Sequence, residues 1–478
     1  MDAELNLRIA AIEDLFEKWS GERPTKTVLM PQSGSNRKYY RLCSDKACAI
    51  GAVGENTREN EAFLSFSKAL AKAGINVPAI YGIDKEKDVY LQQDLGDTTL
   101  YSIIEKDKGK RLSSTVKGLY KKVLNGLFEI QQKGRNAIDF SMCYPRDCFD
   151  KQSMMWDMQY FKYYFLKLAG IPFDEEKIER DFDALSDYLS EANCKYFLYR
   201  DFQSRNIMID ADGEPWFIDY QGGRKGARQY DVASLLYDAK AELSDAVRNE
   251  LLSYYVSKLK PNEMPTFLKY FYGYVLIRLM QAMGAYGYRG YFERKAHFLK
   301  SIPLALDNLL DIVDNHFPAI EIDELKRVLV EVAHSEKLRR ISNENRLKVK
   351  VFSFSYKHGI PTDLSGNGGG HVFDCRALPN PGREERYKNS TGKDPDVIEF
   401  FDHYKSEMTP FLKAAKEIAS ISVNNYRKRN FNSLMISFGC TGGQHRSVYC
   451  AEQIADWLRK SFKDIDVELK HTESIAQK

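Results

Sequence analysis

The sequence predicts an α+β protein in two folded parts: a bilobal domain over residues 1–318, followed by a separate α/β domain over residues 347–478. Three observations lead there. A hairpin, a helix and further strands precede a long, mainly helical stretch, which divides the first part into a small lobe of about residues 1–96 and a larger one of about 97–318. A nine-residue segment, Tyr199-Arg200-Asp201-Phe202-Gln203-Ser204-Arg205-Asn206-Ile207, sits between short apolar runs in mid-chain. A buried-strand run, a glycine-containing loop and a helix start follow one another at Leu434–Ala455. With 478 residues the chain is also too long for one ordinary core.

Taken in order, residues 1 to about 20 alternate apolar and charged positions as an amphipathic helix does. Ser33-Gly34-Ser35-Asn36-Arg37-Lys38-Tyr39-Tyr40-Arg41-Leu42 reads as a small-residue turn inside a hairpin, where backbone N–H groups can cradle phosphate and where a plain surface turn is the competing reading. Glu59 to Ala73 is a helix ended by Gly74, and Val77-Pro78 leads into strands around Tyr81 and Val89–Gly96. Residues 319–346 are charged and helical, with Leu325, Val328, Leu329 and Val332 on one stripe, and are expected as a linker. Val349–Tyr356 then opens the second domain as a strand.

The mid-chain segment carries chemistry. Ile207-Met208-Ile209 and Trp216-Phe217-Ile218 read as short strands joined by the turn-type cluster Asp210-Ala211-Asp212-Gly213, so a hairpin would return Asp219 beside Asn206. In kinase-type sites the Asp of R-D-x-x-x-x-N accepts the proton of the attacking hydroxyl, the Asn holds a Mg²⁺ ion, and a second Asp bridges metal and phosphates. The spacing therefore assigns Asp201 as base, Asn206 and Asp219 as metal ligands, and ATP with Mg²⁺ as cofactors. The competing reading is that Asp201 and Asn206 are turn residues.

Arg200-Asp201-Phe202-x-x-x-Asn206, Ile218-Asp219 and Gly226-x-x-x-Tyr230-Asp231-Val232-Ala233-Ser234 resemble the aminoglycoside and choline phosphotransferase family, which implies a protein-kinase-like bilobal fold. Ser35–Arg41, Gln93-Asp94-Leu95-Gly96-Asp97 and the Asp201 loop are most similar to bacterial anomeric kinases of N-acetylmuramate and N-acetylglucosamine. The resemblance covers roughly residues 10 to 312. It implies Ser35, Asn36, Arg37, Gln93 and Leu95 as nucleotide contacts, and an amino sugar phosphorylated at its anomeric hydroxyl. Asp231 is expected to cap the helix that follows it. There are two departures: Tyr199 stands where the family has His, and Ala47–Val53 lacks the strand Lys that pairs with the α- and β-phosphates. Arg37 and Arg41 are the candidate replacements, against the plain reading of solvated surface charges.

In the second domain, Cys440-Thr441-Gly442-Gly443-Gln444-His445-Arg446-Ser447 joins strand to helix as an anion site does, with converging N–H groups, a helix N-terminus and a forked guanidinium. The same C-x5-R spacing serves cysteine-dependent phosphatases, although nothing nearby is an assured general acid. Ser353–Pro361, Val372–Pro381, Thr391-Gly392 and Gly439–Tyr449 resemble the RapZ C-terminal domain across essentially residues 348 to 478. That resemblance implies a phosphorylated amino sugar, glucosamine-6-phosphate, bound by Lys357, Asp374, Thr441, Gly442, His445 and Arg446. Gly382 departs from the His of that pattern, and the family's P-loop half is replaced here by a different kinase fold.

Composition narrows the remaining classes. A formal charge of +3 gives no global field for nucleic acid or acidic lipid. Arg427-Lys428-Arg429 beside Tyr426 and Phe431 could touch RNA, but such a short basic run reads first as a solvated loop. The eight cysteines include no C-x-x-C pair, no apolar run approaches the length of a membrane span, and the N-terminus lacks a leader pattern. A reduced, cytoplasmic enzyme is therefore expected. The alternatives are a kinase of another small alcohol, aminoglycoside or choline-like, and an adaptor whose kinase fold only binds nucleotide.

Overall fold

The computed structural model describes residues 2–31, 37–54, 56–107, 112–293, 295–344, 347–363, 370–429 and 431–473. It divides into two compact units: Met1–Arg294 with Ser301–Arg339, and Lys295–Lys300 with Arg340–Lys478. Ser35 and Asn36, expected to contact nucleotide, lie outside the described residues.

The first unit begins with helix α1 (Asp2–Ser20) and strands β1 (Lys26–Leu29), β2 (Lys38–Cys43) and β3 (Cys48–Val53). Helix α2 (Thr57–Lys72) and strands β4 (Ile80–Asp84) and β5 (Val89–Gln93) complete the small lobe. The strands form an antiparallel sheet in the order β1-β2-β3-β5-β4. Alternation decides which side chains are buried: Tyr40 and Leu42 of β2, with Ala49, Val53, Val89 and Leu91, close a core against Ile12, Leu15 and Phe16 of α1. Each large apolar side chain buried there contributes about 1.5–3 kcal/mol. Residues 37, 39 and 41 fall on the opposite face. Asn56 caps α2 by accepting from Glu59 N at 3.3 Å, and Gly74 leaves the helix at φ +75°.

Helix Met264–Gly287 runs through the larger lobe with Phe271, Tyr274, Leu276 and Met280 buried, packed on helices Lys151–Phe161 and Arg228–Leu236. Two short ribbons carry the mid-chain segment. β6 (Tyr196–Leu198) pairs with β9 (Arg224–Gly226), and β7 (Ile207–Ile209) pairs with β8 (Pro215–Phe217). The β7–β8 turn is held by Asp210, which accepts from Asp212 N, Glu214 N and Trp216 Nε1. Residues 319–346, expected as a linker, hold helices Asp323–Ala333 and Glu336–Glu344. The first buries Leu325, Val328, Leu329 and Val332, and its start is bonded through Leu325 N to Asp181 and through Glu324 to Asp174 N. That helix is part of the first unit's packing.

The expectation of reduced cysteines needs one correction. Cys43 and Cys48 face each other across the β2–β3 hairpin and are joined by a disulfide. Hairpin register, invisible to a count of sequence spacing, brings them together.

In the second unit, β10 (Leu347–Ser355), β11 (Gly370–Asp374), β12 (Ser433–Cys440) and β13 (Ile465–His471) form an all-parallel sheet in the order β11-β12-β10-β13. β12 is buried along its length, whereas β11 and β13 at the edges alternate, as neighbours on both sides or one side dictate. Helices Lys405–Lys428 and Arg446–Ser461 pack on it through Met408, Ala415, Ala419, Ile454 and Leu458. Because the strands are parallel, the loops after all of them gather at one edge of the sheet. Among the described residues of the chain, no helix is long and apolar enough to cross a membrane.

Candidate functional site

The β7–β8 ribbon does what its sequence predicts. Asn206, just before β7, donates through Nδ2 to the Asp201 carbonyl at 2.9 Å and to Asp219 Oδ2 at 3.2 Å. Asp219 Oδ1 accepts from Gln221 Nε2 at 2.8 Å. Arg200 and Asp219 both take left-handed backbone angles, φ +83° and +71°, which cost non-glycine residues energy and recur where function fixes the geometry. A carboxamide and carboxylates are hard oxygen donors of the kind Mg²⁺ takes. Among the described residues no cluster of three His, Cys, Asp or Glu side chains forms a metal site. Asn206 and Asp219 fit the ion as an incomplete set, the kind that nucleotide phosphates finish.

Asp231 is not the helix cap expected of it. Helix Arg228–Leu236 is capped at Ala227, and the Asp231 carboxylate, inside the first turn, accepts Tyr199 N at 2.8 Å and Arg200 N at 3.0 Å. Burial pushes its pKa up to about 7, outweighing both amide donations. Arg200 in turn makes two bonds to Asp157, 2.6 and 2.7 Å, and one to Tyr230 OH at 2.8 Å. Tyr199 explains its own departure from His: the phenol donates to the Ile218 carbonyl, one residue before Asp219. The loop bearing Asp201 is therefore tied down on three sides. Sequence reading missed Asp157, which sits mid-helix without local signal.

In the small lobe Arg41 is committed elsewhere than to phosphate. Its Nε lies 2.7 Å from Asp94 and its Nη2 2.8 Å from Asp97, and it also donates to the Gly96 carbonyl at 3.2 Å. It thereby ties the segment leaving β5 to the sheet. Gln93, at the end of β5, bonds Ala79 through backbone and side chain, and Leu95 is half-buried beyond it. Arg37 is buried, 7% exposed, and its Nη2 lies 3.6 Å from Glu59 Oε2 on α2.

At the carboxyl edge of the second unit's sheet, Lys357 follows β10, Asp374 ends β11, and Thr441 and Gly442 follow β12. His445 and Arg446 begin the next helix, both buried. Asp374 is engaged by Arg376 at 2.6 Å, and the Arg376 guanidinium holds its carboxyl below the usual carboxylate range. Arg446 Nη1 donates to the carbonyls of Arg376 and Leu378 at 2.8 and 3.3 Å. His445 Nε2 lies 2.8 Å from the Tyr387 carbonyl, and a side chain at position 382 would begin 3.3 Å from its Nδ1. Gly382 thus belongs to a close fit against that ring. Cys440 Sγ accepts Gly443 N at 3.2 Å and lies 3.2 Å from Ser447 Oγ, with the cysteine 3% exposed.

Residues 31–266 match the phosphotransferase enzyme family, and residues 347–474 match the RapZ C-terminal domain. The RNase adapter protein RapZ of Sodalis glossinidius is 33% identical over 178 residues, covering 36% of this chain and 61% of that protein. The chain therefore spans about 61% of the length of the first curated relative it matches. Among solved structures, choline kinase LicA from Streptococcus pneumoniae shares 14% identity over 68% of this chain and 100% of that one, with a TM-score of 0.41. The gentamicin complex of APH(2'')-IIa shares 16% identity over 62% of this chain and 95% of that one, at 0.45.

Proposed function

From a chain that joins a phosphotransferase-family domain to a RapZ C-terminal domain, we propose an ATP-dependent, Mg²⁺-using kinase for a hydroxyl of an N-acetylated amino sugar, most simply the anomeric one. One observation carries the kinase reading: Asn206 bonds to both Asp201 and Asp219, which gathers the candidate base and both candidate metal ligands into one cluster. In this reading Asp201 takes the acceptor's proton while the acceptor oxygen bonds to the γ-phosphorus and the bond to the ADP oxygen breaks. Asn206 and Asp219 hold the ion that neutralises phosphate charge. Nucleotide contacts come from Arg37 and the Gln93–Leu95 segment.

The RapZ-like domain binds a phosphorylated amino sugar at the loop of Thr441 to Arg446, with Lys357 and Asp374 at the same sheet edge. Both halves then serve amino-sugar metabolism, and RNA is a secondary candidate partner at most. Mass spectrometry of products from ATP and a panel of N-acetylhexosamines, N-acetylmuramate, aminoglycosides and choline tests the acceptor. A phosphosugar from an N-acetylated amino sugar supports the reading; product from another alcohol alone sinks it.

A second acceptor class is favoured by a specific feature. A cavity of about 450 Å³ in the first unit is lined by Glu242, Asp245, Asp307, Asp311 and Asp314, against Arg248 as the lining cation. Ala239 is one of its lining residues and follows Asp238, which accepts the Ser204 hydroxyl of the Asp201 loop at 2.6 Å. Such a lining suits a cationic alcohol, so the panel's aminoglycoside and choline arms are the discriminating ones.

A further inference from the structure

The missing strand lysine leaves a definite gap. In the β2–β3 register Arg41 faces Ile50 and Tyr39 faces Ala52, so those positions share the face opposite the α1 core. No cation stands on that face of β3: Ile50 and Ala52 are apolar, and Ala52 is fully buried with a one-carbon side chain. The next position along the same face is Arg37, the residue that leads into the neighbouring strand β2, since Lys38 pairs with Val53. Its side chain is 5% exposed, forms an ion pair with Glu59 at 3.6 Å, and donates to Tyr39 OH at 3.4 Å. Burial opposes that charge, but the Tyr39 hydroxyl to which it donates and the Asp219 carboxylate favour it, and the guanidinium stays ionised.

Phe63, one turn along α2 from Glu59, stacks on Tyr220, the residue after the candidate metal ligand Asp219, so Arg37 and Glu59 stand beside the place where the nucleotide phosphates would sit. An ordinary surface arginine would be solvated; this one is held under the sheet by a glutamate on the first turn of α2.

We propose that Arg37 and Glu59 replace the strand Lys and helix Glu pair of kinases, with the phosphate-binding cation delivered from β2. This deepens the ATP-dependent reading and rests on it. A guanidinium there grips two phosphate oxygens at once, where an ammonium would act as a point charge. Glu59 is a positioning residue, fixing the direction of the fork and linking α2 to the bound nucleotide. Tyr39 stands across from the small Ala52 in the β2–β3 register.

The test is calorimetry on the full chain with ATP, ADP and adenosine, each with Mg²⁺, alongside thermal melting without ligand. Arg37→Gln is expected to weaken ATP and ADP roughly ten- to a hundredfold while adenosine affinity and the melting temperature hold. Glu59→Gln should move the same two ligands in the same direction by less. Equal losses for adenosine and ADP would make Arg37 merely structural and overturn the proposal, as would unchanged ADP affinity. Should Arg37→Gln fail to fold, Arg37→Lys keeps the charge without the fork, and an ADP affinity equal to wild type would overturn the proposal. Failure of the ATP reading is distinguishable, because wild-type protein would then bind neither ATP nor ADP.

Discussion

Asp157 grips Arg200 through two bonds, 2.6 and 2.7 Å, although 43 residues separate them in sequence. Both side chains are mostly buried, at 10% and 16% exposure, so neither charge has water to fall back on. Removing one partner of such a pair strands the other and costs about 3–5 kcal/mol. Asp157→Ala is therefore expected to lower the urea unfolding free energy by that order. Turnover should fall with it, because the left-handed Arg200 that presents Asp201 loses its anchor. Unchanged stability would show that Arg200 is held by Asp231 and Tyr230 alone.

The two candidate roles in the Asp201 cluster separate by what each side chain touches. Asp201→Asn is expected to reduce turnover on the order of 10²- to 10⁴-fold while leaving Mg-nucleotide affinity near wild type, since the base acts on the acceptor. Asp219→Asn should lose Mg-dependent nucleotide binding as well. Single-turnover kinetics beside calorimetry reads both, and near-normal rates in Asp201→Asn would remove the base assignment.

Local spacing made this cluster legible. Asp201, Asn206 and Asp219 lie within one loop and one hairpin, and a turn at 210–213 suffices to bring them together. The residues that hold the cluster were not legible, because each acts on backbone or charge far along the chain: Asp231 on Tyr199 and Arg200, Asp157 on Arg200. Asp231 was readable only as a helix cap, because its direction of bonding depends on how helix Arg228–Leu236 packs against β6. Arg41 and Arg37 looked alike in sequence. Only the sheet register and the segment beyond β5 send one to Asp94 and Asp97 and the other to Glu59.

Asp231 should give a pH signature. Its folded pKa, pushed up to about 7 by burial, exceeds the ordinary carboxylate value, so the folded state keeps a proton that the unfolded chain releases. The resulting stabilisation is complete below about pH 4 and is lost as pH rises through about 7, amounting to roughly 4 kcal/mol at most. The stability difference between wild type and Asp231→Asn, which cannot titrate, is expected to shrink over that window in urea titrations. A constant difference from pH 4.5 to 7.5 would mean the carboxyl is already ionised throughout.

Arg446 separates binding from chemistry in the second unit. Its Nη1 is spent on the carbonyls of Arg376 and Leu378, so the residue shapes the loop after β11 besides its proposed contact with a phosphate. A charge-assisted phosphate contact is worth about 1.5–3 kcal/mol, so Arg446→Ala is expected to weaken glucosamine-6-phosphate by roughly ten- to a hundredfold. Cys440 is nearly closed off and its sulfur already takes the Gly443 N–H, which suits a loop-shaping thiol. Cys440→Ser should therefore change affinity little. The C-x5-R-S sequence nevertheless brings Ser447 to 3.2 Å from that sulfur, an arrangement a phosphatase would also use. Calorimetry run beside a phosphate-release assay separates the two: release that vanishes in Cys440→Ser would replace sensing with catalysis, whereas binding lost in Arg446→Ala without any release supports the sensor.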